Sequence, residues 1–374
     1  MGSCISRLSV RHETSQDDGQ QAQEAEFAGH LSSVQSRPTR SSPEWQHSPG
    51  PSREAGGGTA SHCIPARVDE KLQLLGQTLE RASQAGISSG LVEYGQQVAR
   101  YLSANKQPDE ELLSSDLANL DGLADSYNGR YSGLNLKYMD SPAKLLEALA
   151  DRSSDSAWRA VVRLAEGESH HFAADVRTRA GAPPTVIVME AADLYRFVTQ
   201  YTKLRRQTLG QLGTEPKWAF IGVGAQKSAA DCVMFSMQFA LAAHQKAPTF
   251  DDWHDNLHQR GTLADEGNDS SNYLPSPDAI LEFAGINLFH GEQFLPALFY
   301  KHSHSGGVID ELASYQPSIK DEDVSTSRRD PKSETLAGRH DAFTVQRDPL
   351  RYSASIEASR ATKVRTALDR ILSD

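Results

Sequence analysis

Three short runs near the middle of the chain, HHFAADVR, TVIVME and WAFIGV, set the tightest limit on its fold. Runs this short, rich in β-branched and aromatic residues and bounded by turn formers, suit strands and are too brief for independent helices. His170 to Arg177 alternates apolar and polar residues, Thr185 to Met189 is largely β-branched, and the turn-rich TRAGAPP joins the two. A third strand is predicted at Trp218 to Val223. Helical patterns fill the gaps, over roughly Ala191 to Leu212 and from about Ser228 to His244. The expected fold class is α+β, with helices flanking a central sheet.

On the N-terminal side, Val68, Leu72, Leu75 and Leu79 share one helical face, and a second helix is predicted over Ser89 to Ser103. Further helices are expected over about Glu110 to Ala124, over about Ala143 to Asp151 behind the Ser141-Pro142 start signal, and over Trp158 to Leu164. Toward the C-terminus, Ser318 to Arg339 reads as a loose polar loop. Ala358 to Leu372 reads as a terminal helix carrying Arg360, Lys363, Arg365 and Arg370. Residues 1–65, dominated by Ser, Gln, Gly, Pro, Glu and Arg, hold too little apolar surface to offset ordering entropy and are expected to be a disordered leader.

Composition excludes several classes of function. The net charge of -11 argues against a general nucleic-acid binder but leaves room for a local basic pocket. Cys4, Cys63 and Cys232 cannot build a disulfide framework. The longest apolar run, around Val233 to Ala243, is interrupted by Ser236 and Gln238 and is too short to span a bilayer. Membrane contact would therefore be by anchor. The start MGSCIS fits the acceptor pattern for N-myristoylation at Gly2, and Cys4 offers the second, S-acylated site that a stable anchor requires.

Cys232 lies where a strand ends and a helix begins, in AQKSAADCVMFS. Ser228 and Asp231 form an N-cap pattern that places the cysteine in the first helical turn, where the dipole and free amides favour a thiolate. A cysteine nucleophile needs a base and a group that orients it. His170 and His171 begin the first central strand and Glu190 ends the next, so hairpin pairing brings an imidazole and a carboxylate together. Adjacent strand residues face opposite sides, so the residues alone leave open which histidine faces the sulfur. Gln226 could donate an amide hydrogen to a tetrahedral oxyanion. A rival motif lies in HDNLHQRG: His254 and His258 stand one helical turn apart, as in zinc proteases. The base position there is Asp255 rather than Glu, however, and the third ligand would fall on Ala264.

The order HHFAADVR, TVIVME, QKSAADCVMFS, followed by LFYKH at Leu298 to His302, resembles the YopJ family of type III effector acetyltransferases, particularly its plant-pathogen branch. The resemblance runs from about Arg67 to the C-terminus and includes SGLNLKYM at Ser132 to Met139 and SASI at Ser353 to Ile356. It implies a core similar to the cysteine-protease clan that cleaves ubiquitin-like proteins, with a flanking helical regulatory region. The implied triad is His170 as base, Glu190 as its orienter and Cys232 as nucleophile, with Gln226 beside it. His170 is preferred to His171 because the family's base precedes a strand aspartate by five residues, here Asp175. The implied division is a leader over 1–65, a helical regulatory region over 66–165, a catalytic core over 166–300 and a C-terminal regulatory segment over 301–374.

The implied reaction is ping-pong transfer of acetyl from acetyl-CoA, through a thioester on Cys232, to a lysine, serine or threonine of a host target protein. The resemblance also implies activation by inositol hexakisphosphate, which needs converging cationic heads. Arg67, Lys71, Arg130, Lys301, Arg360 and Arg365 match the family's basic positions, and Lys301 also matches its self-acetylated lysine. Secretion by a type III system into a eukaryotic cell, then myristoylation and attachment to the host plasma membrane, would account for MGSCIS, since bacteria lack the myristoylating enzyme. No metal and no nucleic acid are expected. The same triad serves an alternative, a cysteine protease or deubiquitinating hydrolase, if water intercepts the acyl-enzyme. A lipid-anchored adaptor with a dead site is disfavoured because every catalytic position is filled.

Overall fold

The computed structural model describes residues 64–213, 215–263, 280–283, 286–325, 333–347 and 350–373. Gly2, Cys4, Cys63, Ala264 and nearly all of the expected leader lie outside them. The described residues belong to one compact unit, Ser61–Asp374.

Apolar residues at helical spacing build the front of this unit. Helix α1 (Ala66–Gln84) buries Val68, Leu75 and Ala82. Helix α2 (Gly90–Ser103) starts at Ser89, whose side chain accepts from the Val92 amide, and α3 (Glu110–Arg130) starts likewise at Asp109. These caps satisfy backbone donors that a helix start leaves open. Helix α3 runs six residues past its predicted end.

A strand missed from the sequence, β1 (Leu136–Met139), precedes α4 (Pro142–Ala150), which Ser141 caps. The next segment corrects the sequence reading: Trp158 to Leu164 is not a helix but lies mostly in strand β2 (Ser156–Arg163). Its side chains from Trp158 to Val162 are all buried, on both faces of the sheet, and such a run carries no periodicity that separates helix from strand. Strands β3 (His171–Thr178) and β4 (Thr185–Glu190) form the predicted hairpin. The predicted helix at Ala191 to Leu212 is a 3-10 turn, Leu194–Phe197, followed by α5 (Val198–Leu212). Strand β5 (Lys217–Gly222) lies where predicted.

Helix α6 (Cys232–Gln245) starts four residues later than predicted, with Asp231 rather than Ser228 as N-cap residue. The remaining elements are α7 (Ala247–Arg260), β6 (Ile280–Phe283), β7 (Ile286–His290), α8 (Gly306–Tyr315), α9 (Leu336–Ala342), the hairpin β8 (Thr344–Arg347) and β9 (Leu350–Ser353), and α10 (Ser355–Ile371). The stretch read as a loose loop at Ser318 to Arg339 thus contains a 3-10 turn at Ile319–Asp321 and the start of α9. Leu336 and Ile319 are both buried there, which a solvated loop would not require.

Among the described residues the main sheet has seven strands in the order β1-β2-β3-β4-β5-β7-β6. Its centre is mixed: β2, β3 and β4 are antiparallel neighbours, whereas β4, β5 and β7 run parallel. Helix α6 is buried on every side from Cys232 to Ala243 and packs across β2, β3 and β4. Helix α10 packs against α1, α2 and α3 and reaches α6. The helix that begins at Cys232 is therefore the common floor of the sheet and the helical group.

Candidate active site

The β3–β4 register explains how two residues far apart in sequence meet. Ala173 pairs with Met189, so one further step sets Glu190 across from Phe172. His170, two residues earlier, projects to the same face. His170 Nε2 lies 2.8 Å from Glu190 Oε2. The ring stacks on Phe197 at a centroid distance of 3.8 Å, which fixes its plane. Glu190 is fully buried and has no freedom to turn. Its Oε1 accepts from the Ala192 amide at 2.8 Å, and its Oε2 also accepts from the Tyr201 hydroxyl at 2.5 Å.

Cys232 stands at the first position of α6, where helix start and sheet edge meet. Its Sγ donates toward Ser169 O at 3.6 Å, and Ser236, one turn on, donates to His171 O at 3.2 Å. These two contacts hold the helix start against the strand that begins beside His170. The His170 imidazole is pushed up to about 10: burial disfavours its charged form, but hydrogen bonds to Cys232 and Glu190 and their charges outweigh burial. With Nε2 taken by Glu190, Nδ1 is the nitrogen left for the sulfur. His171 does not share the task. Its Nδ1 is bound to Ser169 O, and burial lowers it to about 4. The thiol is only 1% exposed.

Gln226 is buried beside the same loop. Its backbone amide donates to Ala191 O, its Nε2 donates to Ser228 O at 2.7 Å, and its Oε1 meets no partner among the described residues. The second Nε2 hydrogen is the one an oxyanion would take. The loop passes through Gly224, whose φ of +66° favours glycine. A cavity of about 190 Å³ opens next to it at the C-terminal ends of β4, β5 and β7, lined in part by Ala192, Gly222, Lys227 and His290. Gly291 packs tightly behind β5: a Cβ there would lie 2.7 Å from Gly222 O. Neither Cys232 nor His170 lines this cavity, but its wall is the backbone that binds Glu190.

The rival metal motif is accounted for otherwise. His254 is buried with Nδ1 2.7 Å from Thr185 Oγ1 and Nε2 2.9 Å from Asp175 Oδ1, so neither nitrogen is left for a metal. Asp255 is paired with Arg179. Asp175 itself also binds Arg159 and Arg177 and ties α7 to the sheet.

The basic residues divide into groups. Arg67 and Arg339 share the Glu334 carboxylate at 3.0 and 2.6 Å, and both guanidinium groups lie over Phe343. Arg339 Nε also donates to Lys301 O. Lys301 is buried, and burial and then the Arg339 and Lys363 charges hold its amine well below the usual lysine range. Lys363 is buried as well and lowered to about 7, by burial first and then by Arg360 and Arg339. Neither lysine has a carboxylate in ion-pair reach among the described residues. Arg67 and Lys301 thus meet, joined by Arg339 and Lys363, which were not singled out from the sequence. Lys71 pairs with Glu70, Arg130 lies over Tyr131, and Arg365 pairs with Asp369 at 3.9 Å. Arg360 departs from the expectation of a converging head: it is 1% exposed and clamped between Asp116 and Asp231.

Comparison with known proteins places this geometry. Residues 91–366 match the family model described as YopJ serine/threonine acetyltransferase. A serine/threonine-protein acetyltransferase of Sinorhizobium fredii is 65% identical over 219 residues, 59% of this chain and 84% of the relative. The serine/threonine-protein acetyltransferase HopZ1a of Pseudomonas syringae pv. syringae is 29% identical over 339 residues, 84% of this chain and 89% of the relative. A crystal structure of HopZ1a in complex with IP6 and CoA superimposes with a TM-score of 0.69 at 28% identity, covering 82% of this chain and 99% of that one. A structure of AvrA with IP6 and CoA, at 19% identity and a TM-score of 0.55, shares the fold.

Proposed function

The chain belongs to the YopJ family of serine/threonine acetyltransferases, and from that premise we propose that it moves acetyl from acetyl-CoA to a protein hydroxyl or amine through a thioester on Cys232. The observation that carries the reading is the 2.8 Å contact of His170 with Glu190, near a Cys232 thiol that helps to raise the imidazole. His170, protonated at neutral pH, gives its proton to the departing CoA, which leaves as its thiol while the Cys232 sulfur takes the acetyl group, so the imidazole becomes neutral. It then takes the acceptor's proton in the second half. Glu190 holds the ring and its charge throughout, and Gln226, from the loop before Cys232, supplies the amide donor to the oxyanion. HopZ1a has been solved with IP6 and CoA; here the same ligands are assigned to two places. CoA approaches by the cavity beside Lys227, whose ammonium suits its phosphates. Inositol hexakisphosphate is drawn to Arg67, Lys301, Arg339 and Lys363, because buried amines without counter-ions favour a polyanion. Lys71, Arg130 and Arg365 extend that field from outside.

Delivery into a host cell by a type III system, myristoylation of Gly2 and acylation of Cys4 belong to the same reading. The test is incubation with acetyl-labelled acetyl-CoA, with and without inositol hexakisphosphate. Label on the Cys232 peptide that needs the activator and disappears in Cys232→Ala is expected. Label absent from the intact protein at saturating activator would overturn the transfer mechanism.

A further inference from the structure

Arg360 is a charged side chain only 1% exposed. Its Nε lies 2.9 Å from Asp116 Oδ1 and its Nη2 2.9 Å from Asp116 Oδ2, a bidentate pair with α3. The same Nη2 lies 2.7 Å from Asp231 Oδ1 and 3.3 Å from Ala230 O. Asp231 and Ala230 are the two residues immediately before Cys232. Asp231 Oδ2 accepts in turn from Ser228, and His304 Nε2 stands 3.6 Å away. Tyr94 on α2 donates to Asp116. The nucleophile's N-cap is therefore fastened by a guanidinium that Asp116 of α3, itself bonded by Tyr94 of α2, holds in place.

One turn along α10, on the same face, Lys363 Nζ lies 3.4 Å from Gln238 Oε1 of α6. Helix α10 grips α6 at its cap and again in its second turn. Lys363 also belongs to the cationic group with Lys301 and Arg339. An anion that neutralises that group would fix α10, and through Arg360 would fix the start of α6.

We propose that Arg360 is a positioning residue that transmits the hold of α10 to the Cys232 N-cap, and that it is not a ligand of the activator. The proposal rests on the reading of the cationic group as an activator site and of Cys232 as nucleophile. It assigns the match to the family's basic positions a different use in this chain.

The test compares the full-length protein with Arg360→Lys and Asp231→Asn, using three readouts. These are inositol hexakisphosphate affinity by calorimetry, iodoacetamide alkylation of the Cys232 peptide by mass spectrometry, and the kcat and KM for acetyl-CoA. Arg360→Lys keeps a charge but loses the fork that binds both carboxylates. Expected are activator affinity within about threefold of wild type and Cys232 alkylation about tenfold to a hundredfold slower at saturating activator, the range a misplaced reacting group produces. kcat falls while KM for acetyl-CoA stays put. Asp231→Asn reproduces the alkylation loss, and it decides the matter if Arg360→Lys does not fold. Activator affinity weakened about tenfold or more, with saturating activator restoring alkylation, would make Arg360 a ligand and overturn the proposal, as would wild-type alkylation in both variants. Alkylation needs no acetyl-CoA, so failure of the transfer reading shows separately as unlabelled wild type. Failure of the activator reading shows as no heat of binding in wild type.

Discussion

Glu190 accepts from three donors, the His170 ring, the Tyr201 hydroxyl and the Ala192 amide. Removing the hydroxyl in Tyr201→Phe leaves the carboxylate buried with one donor fewer. Acyl-enzyme formation in a single turnover should slow about tenfold, the scale of one hydrogen bond to a buried charge; an unchanged rate would make Tyr201 a packing residue only. The His170–Glu190 contact also gives a pH signature. His170 stands at about 10 in the fold against an ordinary 6.5, so folding favours its protonated form. That stabilisation is complete below the unfolded value and declines as pH rises through the folded one. The gap in urea-unfolding free energy between wild type and His170→Ala should therefore be widest near pH 6 and close toward pH 10. A gap constant across that range would contradict the raised value. At this scale Glu190, Cys232 and the His170–His171 pair were legible because strand ends and a helix start are written in short patterns, and only the family resemblance chose His170 from the pair. Tyr201 was not, since a tyrosine in the apolar stripe of α5 reads as core until its hydroxyl is seen.

Helix and strand boundaries were legible where a cap or turn residue marks them. Ser89, Asp109 and Ser141 each bond an amide at a helix start. They failed where burial is uniform: β2 carries no alternation because both of its faces are covered. The shift of the α6 start from Ser228 to Cys232 has a related cause. The Ser228 hydroxyl bonds the Asp231 carboxylate instead of an amide, so the cap pattern is spent on a side chain that Arg360 also holds. The segment around α9 was read as loop because it is polar, yet it delivers Glu334 and Arg339 to the cationic group. Glu334 bridges Arg67 and Arg339, where a phosphate of the activator would be expected to bind. Glu334→Gln should tighten inositol hexakisphosphate binding by on the order of fivefold, the effect of removing one competing charge contact of about 1 kcal/mol. Calorimetry decides it, and weaker binding would make Glu334 an organiser of the site and not its competitor.

The chain as a whole carries a charge of -11, yet the buried Lys301 and Lys363 gather from separated segments with Arg339 and the half-exposed Arg67 into one cationic group. Arg67, Lys71, Arg130, Lys301, Arg360 and Arg365 were singled out by the family resemblance. Which of them converge could not be read from it, because Lys301 and Lys363 sit in tracts that look alike solvated until the fold buries them. Burial has a consequence for binding. Lys363 stands at about 7 in the free protein, lowered by burial and by the neighbouring Arg360 and Arg339 charges. Its depressed value costs stability that grows as pH falls from the ordinary lysine range and is complete below about 7, and a bound polyanion reverses the cost by favouring the ammonium form. At pH 8 the free amine is mostly neutral, so binding of inositol hexakisphosphate should take up on the order of one proton. Calorimetry in buffers of different ionisation enthalpy measures that number directly. Lys363→Met should bind with less proton uptake and more weakly, while the free variant unfolds at a higher temperature because a desolvated amine has been replaced by an apolar chain. Equal uptake in wild type and Lys363→Met would place the activator away from α10, and with it the link from the polyanion to the start of α6 would be lost.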